Sequence, residues 1–236
     1  MRVMKRALRS LGVDARRYEP QSSESAMMAR LFATRGVGCV FDVGANVGQY
    51  ARGLRDMGFK GRIISFEPVS DAHVRLVRNS YHDPKWIVTP AMALGDFDGE
   101  TEIHVAGDLF ISSIRRMNEA LERAAPTSKY VGKEKIAIRT LDSVFPTYRA
   151  DSARPFLKID TQGYESEVLD GAASCLDHFV GVQAEMSLTE LYRGQTLCLD
   201  FALRMREAGF QLAGLFPGFA DNRTGQLLQV DGVFLR

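Results

Sequence analysis

Residues 40 to 48 read Val-Phe-Asp-Val-Gly-Ala-Asn-Val-Gly, and no other stretch limits the fold of this chain so tightly. An apolar, strand-like run turns at glycines into a segment with helical spacing, Tyr50, Leu54 and Met57, which stops at Gly58. Nineteen residues after Gly48 a second apolar run, Arg62-Ile63-Ile64-Ser65-Phe66, closes on Glu67. A glycine turn after one strand and an acid ending the next predict a nucleoside-binding crevice. Glycine admits close backbone approach, and the carboxylate accepts hydrogen bonds from ribose hydroxyls.

The spacing narrows the nucleoside. The dinucleotide pattern G-x-G-x-x-G, which brings a pyrophosphate to a helix N-terminus, is absent; the glycines are Gly44 and Gly48, with Asn46 between. Asp42 at the strand end opposes a diphosphate and favours a cation. S-adenosylmethionine (SAM) carries an ammonium and a sulfonium and no phosphate, so the run reads as a SAM site in preference to the NAD site of an oxidoreductase. The bland alternative is a strand-turn-helix whose glycines only relieve steric strain.

The 236 residues, 45% hydrophobic and 25% charged, fit one domain with a sizeable core. A formal net charge of +1 gives no case for a nucleic-acid partner. Cys39, Cys175 and Cys198 are scattered, which favours reduced thiols in a cytoplasmic protein over disulfides or a zinc site. No run approaches the roughly 18 apolar residues of a membrane span. Arg2, Lys5, Arg6, Arg9, Arg16 and Arg17 with Val3, Met4, Ala7, Leu8 and Leu11 outline a basic amphipathic helix. Without an apolar h-region it is not a signal peptide; it either rests on an anionic membrane surface or packs on the domain edge.

Strand and helix patterns then alternate. A helix over 22–34 capped by Ser23 or Ser25 leads in, ended by Gly36, and strands are expected over Cys39–Val43, Arg62–Glu67 and Trp86–Met92. Between the last two lies a helix begun at Ser70 with Val74 and Val77 inward. Thr101–Ala106 and Lys135–Thr140 alternate like antiparallel strands around a helix, Ile114–Arg123, and a loose tract, 124–134. An excursion of that length predicts a lid or binding loop. Strand Pro155–Asp160, helix Tyr164–Gly171, strand Val180–Met186 and helix Leu197–Ala208 resume the alternation, and Gln211–Phe216 with Leu227–Leu235 makes a terminal hairpin. The expected class is α/β, a mostly parallel Rossmann-like sheet with helices on both faces. A helical segment, 1–36, precedes a domain over 37–236 with a lid at about 101–140.

Ligands of such sheets sit beyond the carboxyl ends of the strands, where this chain places Asp42, Glu67, Asp96, Asp160 and Glu185, with Glu165 just inside the next helix. Unpaired buried carboxylates are costly, so some of these acids must meet cations, hydroxyls or a metal. Asp96 either receives the adenine amine or makes the turn that Asp96-Phe97-Asp98-Gly99 suggests. Glu165 either serves the site or only caps its helix.

The series Asp-Val-Gly-Ala-Asn-x-Gly, Phe-Glu-Pro, Ala-Leu-Gly-Asp, Arg-Thr-Leu-Asp-Ser and Leu-Lys-Ile-Asp-x-x-Gly-x-Glu resembles the FkbM family of SAM-dependent methyltransferases over roughly residues 38 to 188. The resemblance implies a class I methyltransferase sheet with an antiparallel last strand, and O-methylation of hydroxyls on sugars, glycolipids or polyketide-type products. It implies cofactor contacts from Asp42, Gly44, Ala45, Asn46, Gly48, Glu67, Pro68, Ala93, Leu94 and Asp96. One departure is Gln162, where the family commonly has glutamate, so proton transfer falls to the remaining acids.

The expected mechanism is in-line displacement at the sulfonium methyl, assisted by a general base. No histidine lies at a strand end, so Asp160 is the candidate base, with Glu165 and Glu185 orienting the acceptor. A variant has these acids hold Mg²⁺. Acceptor contacts are expected from Ser112, Ser113, Tyr130 and Tyr192, with Phe219 as a further stacking candidate. The competing classes are an NAD-dependent oxidoreductase and a non-catalytic SAM-binding protein.

Overall fold

The computed structural model describes residues 23–126, 128–149 and 154–236. The predicted basic helix at the N-terminus lies outside them. A seven-stranded sheet forms the centre: β1 (Val37–Val43), β2 (Arg62–Phe66), β3 (Trp86–Val88), β7 (Arg154–Ile159), β8 (Gly181–Ser187), β9 (Gln211–Pro217) and β10 (Gln229–Leu235). Their spatial order is β3-β2-β1-β7-β8-β10-β9. The first five run parallel, and β10 is antiparallel to both β8 and β9. The outward growth from β1 in two directions makes a switch point between β1 and β7, where ligands of this architecture bind.

Both faces of the sheet are covered, which is why its strands read as continuous apolar runs rather than alternating ones. Phe41, Ile64, Leu157, Val182 and Phe234 point one way, into a core shared with α5 (Leu141–Tyr148) and α7 (Cys198–Glu207). Their neighbours Val40, Ile63, Phe156 and Val233 point the other way, against Met28 and Phe32 of α1 (Glu24–Arg35) and Ala51 and Leu54 of α2 (Gln49–Asp56). Helix α1 thus forms part of a layer of the domain. Ser23 caps it, its side chain accepting from the Ala26 amide, and Gly36 ends it in the left-handed conformation.

A second, three-stranded sheet stands over the carboxyl ends: β4 (Ala93–Gly95), β5 (Gly99–Ala106) and β6 (Tyr130–Thr140), in the order β4-β6-β5. The predicted strand over Trp86–Met92 is therefore cut short. After Val88 the Thr89 amide bonds to the Ser65 carbonyl, Pro90 has no N–H to extend the ladder, and the chain leaves for the small sheet. Helix α3 (Ser70–Ser80) buries Ala72, Leu76 and Ser80, while Val74 and Val77 face solvent, opposite to expectation. The buried i, i+4 row is Ala72, Leu76 and Ser80, which starts one helical step of three beyond buried Val69, and Val74 and Val77 lie off it. The helix expected over Ile114–Arg123 shrinks to α4 (Glu119–Ala124), because Ser113 bridges to His104 and Met117 to Tyr192 in extended form. Helix α6 (Glu165–Asp170) follows β7 as predicted.

Candidate active site

Three strand ends converge. Gly44 follows β1 with φ +78, and a Cβ there would lie 1.8 Å from the Asp160 carbonyl oxygen, so only glycine lets the ends of β1 and β7 meet. The Gly44 and Ala45 amides both donate to the Phe66 carbonyl, at 3.1 and 3.0 Å. Asn46 is left-handed at φ +48, its side-chain oxygen accepting from the Val47 amide at 2.7 Å. The Glu67 carboxylate clamps this turn, one oxygen accepting from the Asn46 amide and the other from the Val69 amide, each at 2.8 Å. Burial nevertheless outweighs those two donors and pushes Glu67 up to about 7.

Above the clamp lies a cavity of about 570 Å³, inside the roughly 300–1,000 Å³ typical of small-molecule sites. Gly44, Asn46, Glu67, Pro68, Ala93 and Leu94 line it, as expected of cofactor contacts. The other four residues of that set do not. Asp42 is buried and accepts from the Ser65 hydroxyl at 3.0 Å, which in turn accepts from the Trp86 indole at 2.9 Å; burial pushes Asp42 up to about 7. Ala45 packs in the core. Gly48 makes room for Trp86, whose ring would lie 2.5 Å from a Cβ. Asp96 points outward and accepts from the Tyr164 hydroxyl at 3.1 Å. Sequence position put Asp42, Ala45 and Gly48 at the turn after β1 and Asp96 after β4, but pleat and packing direct all four away from the cavity. The charged lining, among the described residues, is Glu67, Asp108, Asp160 and Glu185, with no lysine, arginine or histidine.

The catalytic candidates separate in the same way. Asp160 and Glu185 line the cavity and are joined by Gln162, whose amide nitrogen donates at 2.8 Å to each. The buried Tyr192 hydroxyl donates to the Gln162 oxygen at 2.7 Å, fixing which end of the amide faces the acids. Gln229 donates to Glu185 as well, at 2.6 Å. Burial first, and the Asp160 charge second, hold Glu185 well above the usual carboxylate range. Glu165 does not reach the cavity. Its carboxylate accepts from the Thr161 and Gly163 amides at 2.9 and 3.1 Å, bracing the turn after β7, so it is a structural acid. That arrangement also fails to fit Mg²⁺: Asp160 and Glu185 already meet amide donors, and among the described residues no three His, Cys, Asp or Glu side chains converge to hold a metal.

Of the acceptor candidates Ser112 and Phe219 line the cavity. The buried Ser113 hydroxyl donates to the Gln162 carbonyl at 2.6 Å, tying the small sheet's loop to the turn after β7. Tyr130 packs on His104, its hydroxyl donating to the Arg115 carbonyl and accepting from the Met117 amide. Tyr192 belongs to the core between them. The loop's cavity wall is apolar instead, Leu109, Phe110 and Ile111, with Phe219 opposite. Gln49, Asp108 and Gln229 line the cavity without having been anticipated. A signal existed for Gln229: polar residues two apart in apolar strands, Gln183 and Glu185 in β8, Gln229 and Asp231 in β10, mark one face of the sheet.

The profile of a family described as methyltransferase FkbM domain matches residues 42–212. No curated protein matches the chain. Among solved structures, M. capricolum TrmK in complex with S-adenosyl-homocysteine is 7% identical, with 91% of this chain and 68% of that one covered and a TM-score of 0.50. Magnesium protoporphyrin IX methyltransferase from Synechocystis PCC 6803 with bound SAM is 9% identical over 99% of this chain and 95% of its own, with a TM-score of 0.48. At such identities the likeness is one of fold.

Proposed function

The chain belongs to the FkbM methyltransferase family, and we propose that it transfers a methyl group from SAM to a hydroxyl of a sugar, glycolipid or polyketide-type acceptor, with Asp160 as general base. The observation that carries this reading is the lining of the cavity: four acids, Glu67, Asp108, Asp160 and Glu185, of which burial raises Glu67 and Glu185, and no cation among its described residues. Two unit charges about 4 Å apart interact by about 4 kcal/mol at the effective dielectric of a protein surface. A pyrophosphate is repelled on that scale and a sulfonium with an ammonium is attracted. The S-adenosyl-homocysteine held by TrmK, a protein of the same fold, supports the donor assignment.

The residues present fit the donor. Gly44 gives backbone access, the Glu67 oxygens keep lone pairs for ribose hydroxyls beyond their two amide partners, and Ala93 and Leu94 offer an apolar wall for a purine. Bound SAM supplies a methyl carbon on a sulfonium, an already activated leaving group. What remains for the chain is alignment and the acceptor proton, and a placed base contributes about 10²–10⁴-fold. Asp160 is suited to accept that proton. Its side chain is 31% exposed, one oxygen is held by Gln162, and the other lies 3.5 Å from the Lys158 ammonium. With SAM bound, the acceptor oxygen would take the methyl from the sulfonium, leaving the thioether, and the Asp160 carboxylate would take the hydroxyl proton. Glu185, held above the usual carboxylate range by burial, orients the acceptor.

Calorimetric titration with SAM and with NADH tests the donor, and transfer of label from SAM to fractionated glycolipids and metabolites tests the reaction. Asp160→Asn is expected to cut turnover by about 10²–10⁴-fold and to weaken SAM less than Glu67→Ala does. Binding of NADH with indifference to SAM sinks the proposal. SAM binding with no transfer to any fraction leaves the non-catalytic alternative standing.

A further inference from the structure

A second cavity, of about 360 Å³, opens on the other side of Asp160. Asp160 and Gln49 stand in the walls of both cavities. Its floor is the polar end of the sheet face that α1 and α2 cover. Lys158 of β7 lies in register with Gln183 of β8, and Asp231 of β10 with Glu185. The Lys158 ammonium is 3.1 Å from Asp231, and the Tyr50 hydroxyl donates to Gln183 at 2.9 Å. Nearer the β-strand starts the same face is apolar, with Phe156 and Val233 in the core. The polar rows begin where the helices leave space over the sheet.

Three independent features point to an occupant. Gly53 sits inside the eight-residue helix α2 and lines the cavity, yet nothing lies within 4 Å of the position its Cβ would take. A helix-interior glycine weakens a helix relative to alanine, and no neighbour among the described residues explains this one. The side-chain oxygen of Gln49, in the shared wall, is buried without a hydrogen-bond partner among the described residues and calls for a donor. The charges, finally, do not balance: among the described lining residues Glu24, Asp160 and Asp231 face one cation, Lys158. Burial alone would lower the Lys158 pKa, but Asp160, Asp231 and Glu185 raise it well above the ordinary value, so it stays charged and already paired.

We propose that this second cavity is the acceptor subsite and takes a hydroxyl-rich segment without anionic groups, of the size of a sugar ring, presenting one hydroxyl past Gln49 to Asp160. The inference rests on the methyltransferase reading of the first cavity. Hydroxyls donate to the surplus carboxylates and to Gln49, whereas a phosphate or carboxylate meets no unpaired cation on the lining. Met28, Leu54, Met57 and the Tyr50 ring supply an apolar strip for ring C–H groups.

The test uses the full chain saturated with S-adenosyl-homocysteine, with backbone and side-chain amide signals followed by nitrogen–proton correlation spectra. The probes are the methyl glycosides of glucose, galactose, mannose and rhamnose, with glucose 6-phosphate and spermidine as contrasts. At least one glycoside is expected to shift the Gln49 and Gln183 amide signals, and the contrasts are not. Gly53→Leu fills the space without crowding the fold and should weaken the responding glycoside at least about tenfold. Glu24→Gln, at the exposed mouth, should weaken it about two- to fivefold. Both variants should bind S-adenosyl-homocysteine as the wild type does. No response to any glycoside, a response confined to Phe110 and Phe219, or preference for spermidine or the phosphate overturns the subsite. Failure of S-adenosyl-homocysteine to bind at all overturns the methyltransferase reading instead, which separates the two.

Discussion

Gln162 shows how one side chain sets the chemistry of its neighbours. Its amide nitrogen stands between Asp160 and Glu185, and Tyr192 holds the other end, so the two acids are joined through one neutral donor. Gln162→Glu replaces two donors by lone pairs and brings three carboxylates together; one must then take up a proton near neutrality. The acidic limb of the kcat/KM profile should move to higher pH by about one unit or more, with SAM affinity unchanged. Gln162→Ala, which removes the contacts without adding a charge, should lower kcat while leaving that limb nearer its original pH. Equal profiles for the two variants would assign Gln162 a purely steric role. The sequence made the identity of these acids legible and their division of labour only in part. Asp160, Glu185 and Glu67 reach the cavity, whereas Glu165 and Asp42 turn to a backbone loop and a serine. Position at a strand end fixes where a Cα lies. The partner that a carboxylate finds depends on strands and turns far away in the chain.

Among the elements, the turn after β1 is the one on which the site depends most. Gly44→Ala adds a methyl 1.8 Å from the Asp160 carbonyl in a positive-φ conformation, and backbone cannot rotate away as a side chain can. A loss of about 3 kcal/mol or more is expected, read as a lower urea midpoint at unchanged slope. Any folded fraction should lose transfer, because the displaced backbone carries the base. A midpoint within about 0.5 kcal/mol of wild type, the range of ordinary surface changes, would show that β1 and β7 can separate freely. Parallel strands and their helices were readable from sequence because burial on both faces writes long apolar runs. The small sheet was less so. Ala93–Gly95 looks like the end of β3 but pairs with β6, and helix α5 hid behind Pro146, although Thr140 caps it by accepting from the Ser143 amide. Pairing partners and caps of this kind become visible only once distant residues are brought together.

At the scale of the whole molecule, a family-typical sheet is built around acids that its own packing strains. Asp42, Glu67 and Glu165 are all buried, and burial raises each to about 7. In the unfolded chain such groups titrate near 4, so between those values the folded state holds more protons than the unfolded one. Stability linked to a raised carboxyl is complete below the unfolded pKa and is lost as pH rises through the folded pKa. The acids that are instead held low, Asp83, Asp98 and Asp142, act in the opposite sense only at more acidic pH. The urea midpoint of the ligand-free protein should therefore fall between about pH 5 and about pH 8, by an amount on the order of a few kcal/mol at constant slope. Glu67→Gln should flatten part of that fall by removing one of the three titrations. A midpoint that is level or rises across this window would mean that the three carboxylates ionise without penalty. The cavity's negative charge would then carry no energetic preference for a cationic donor.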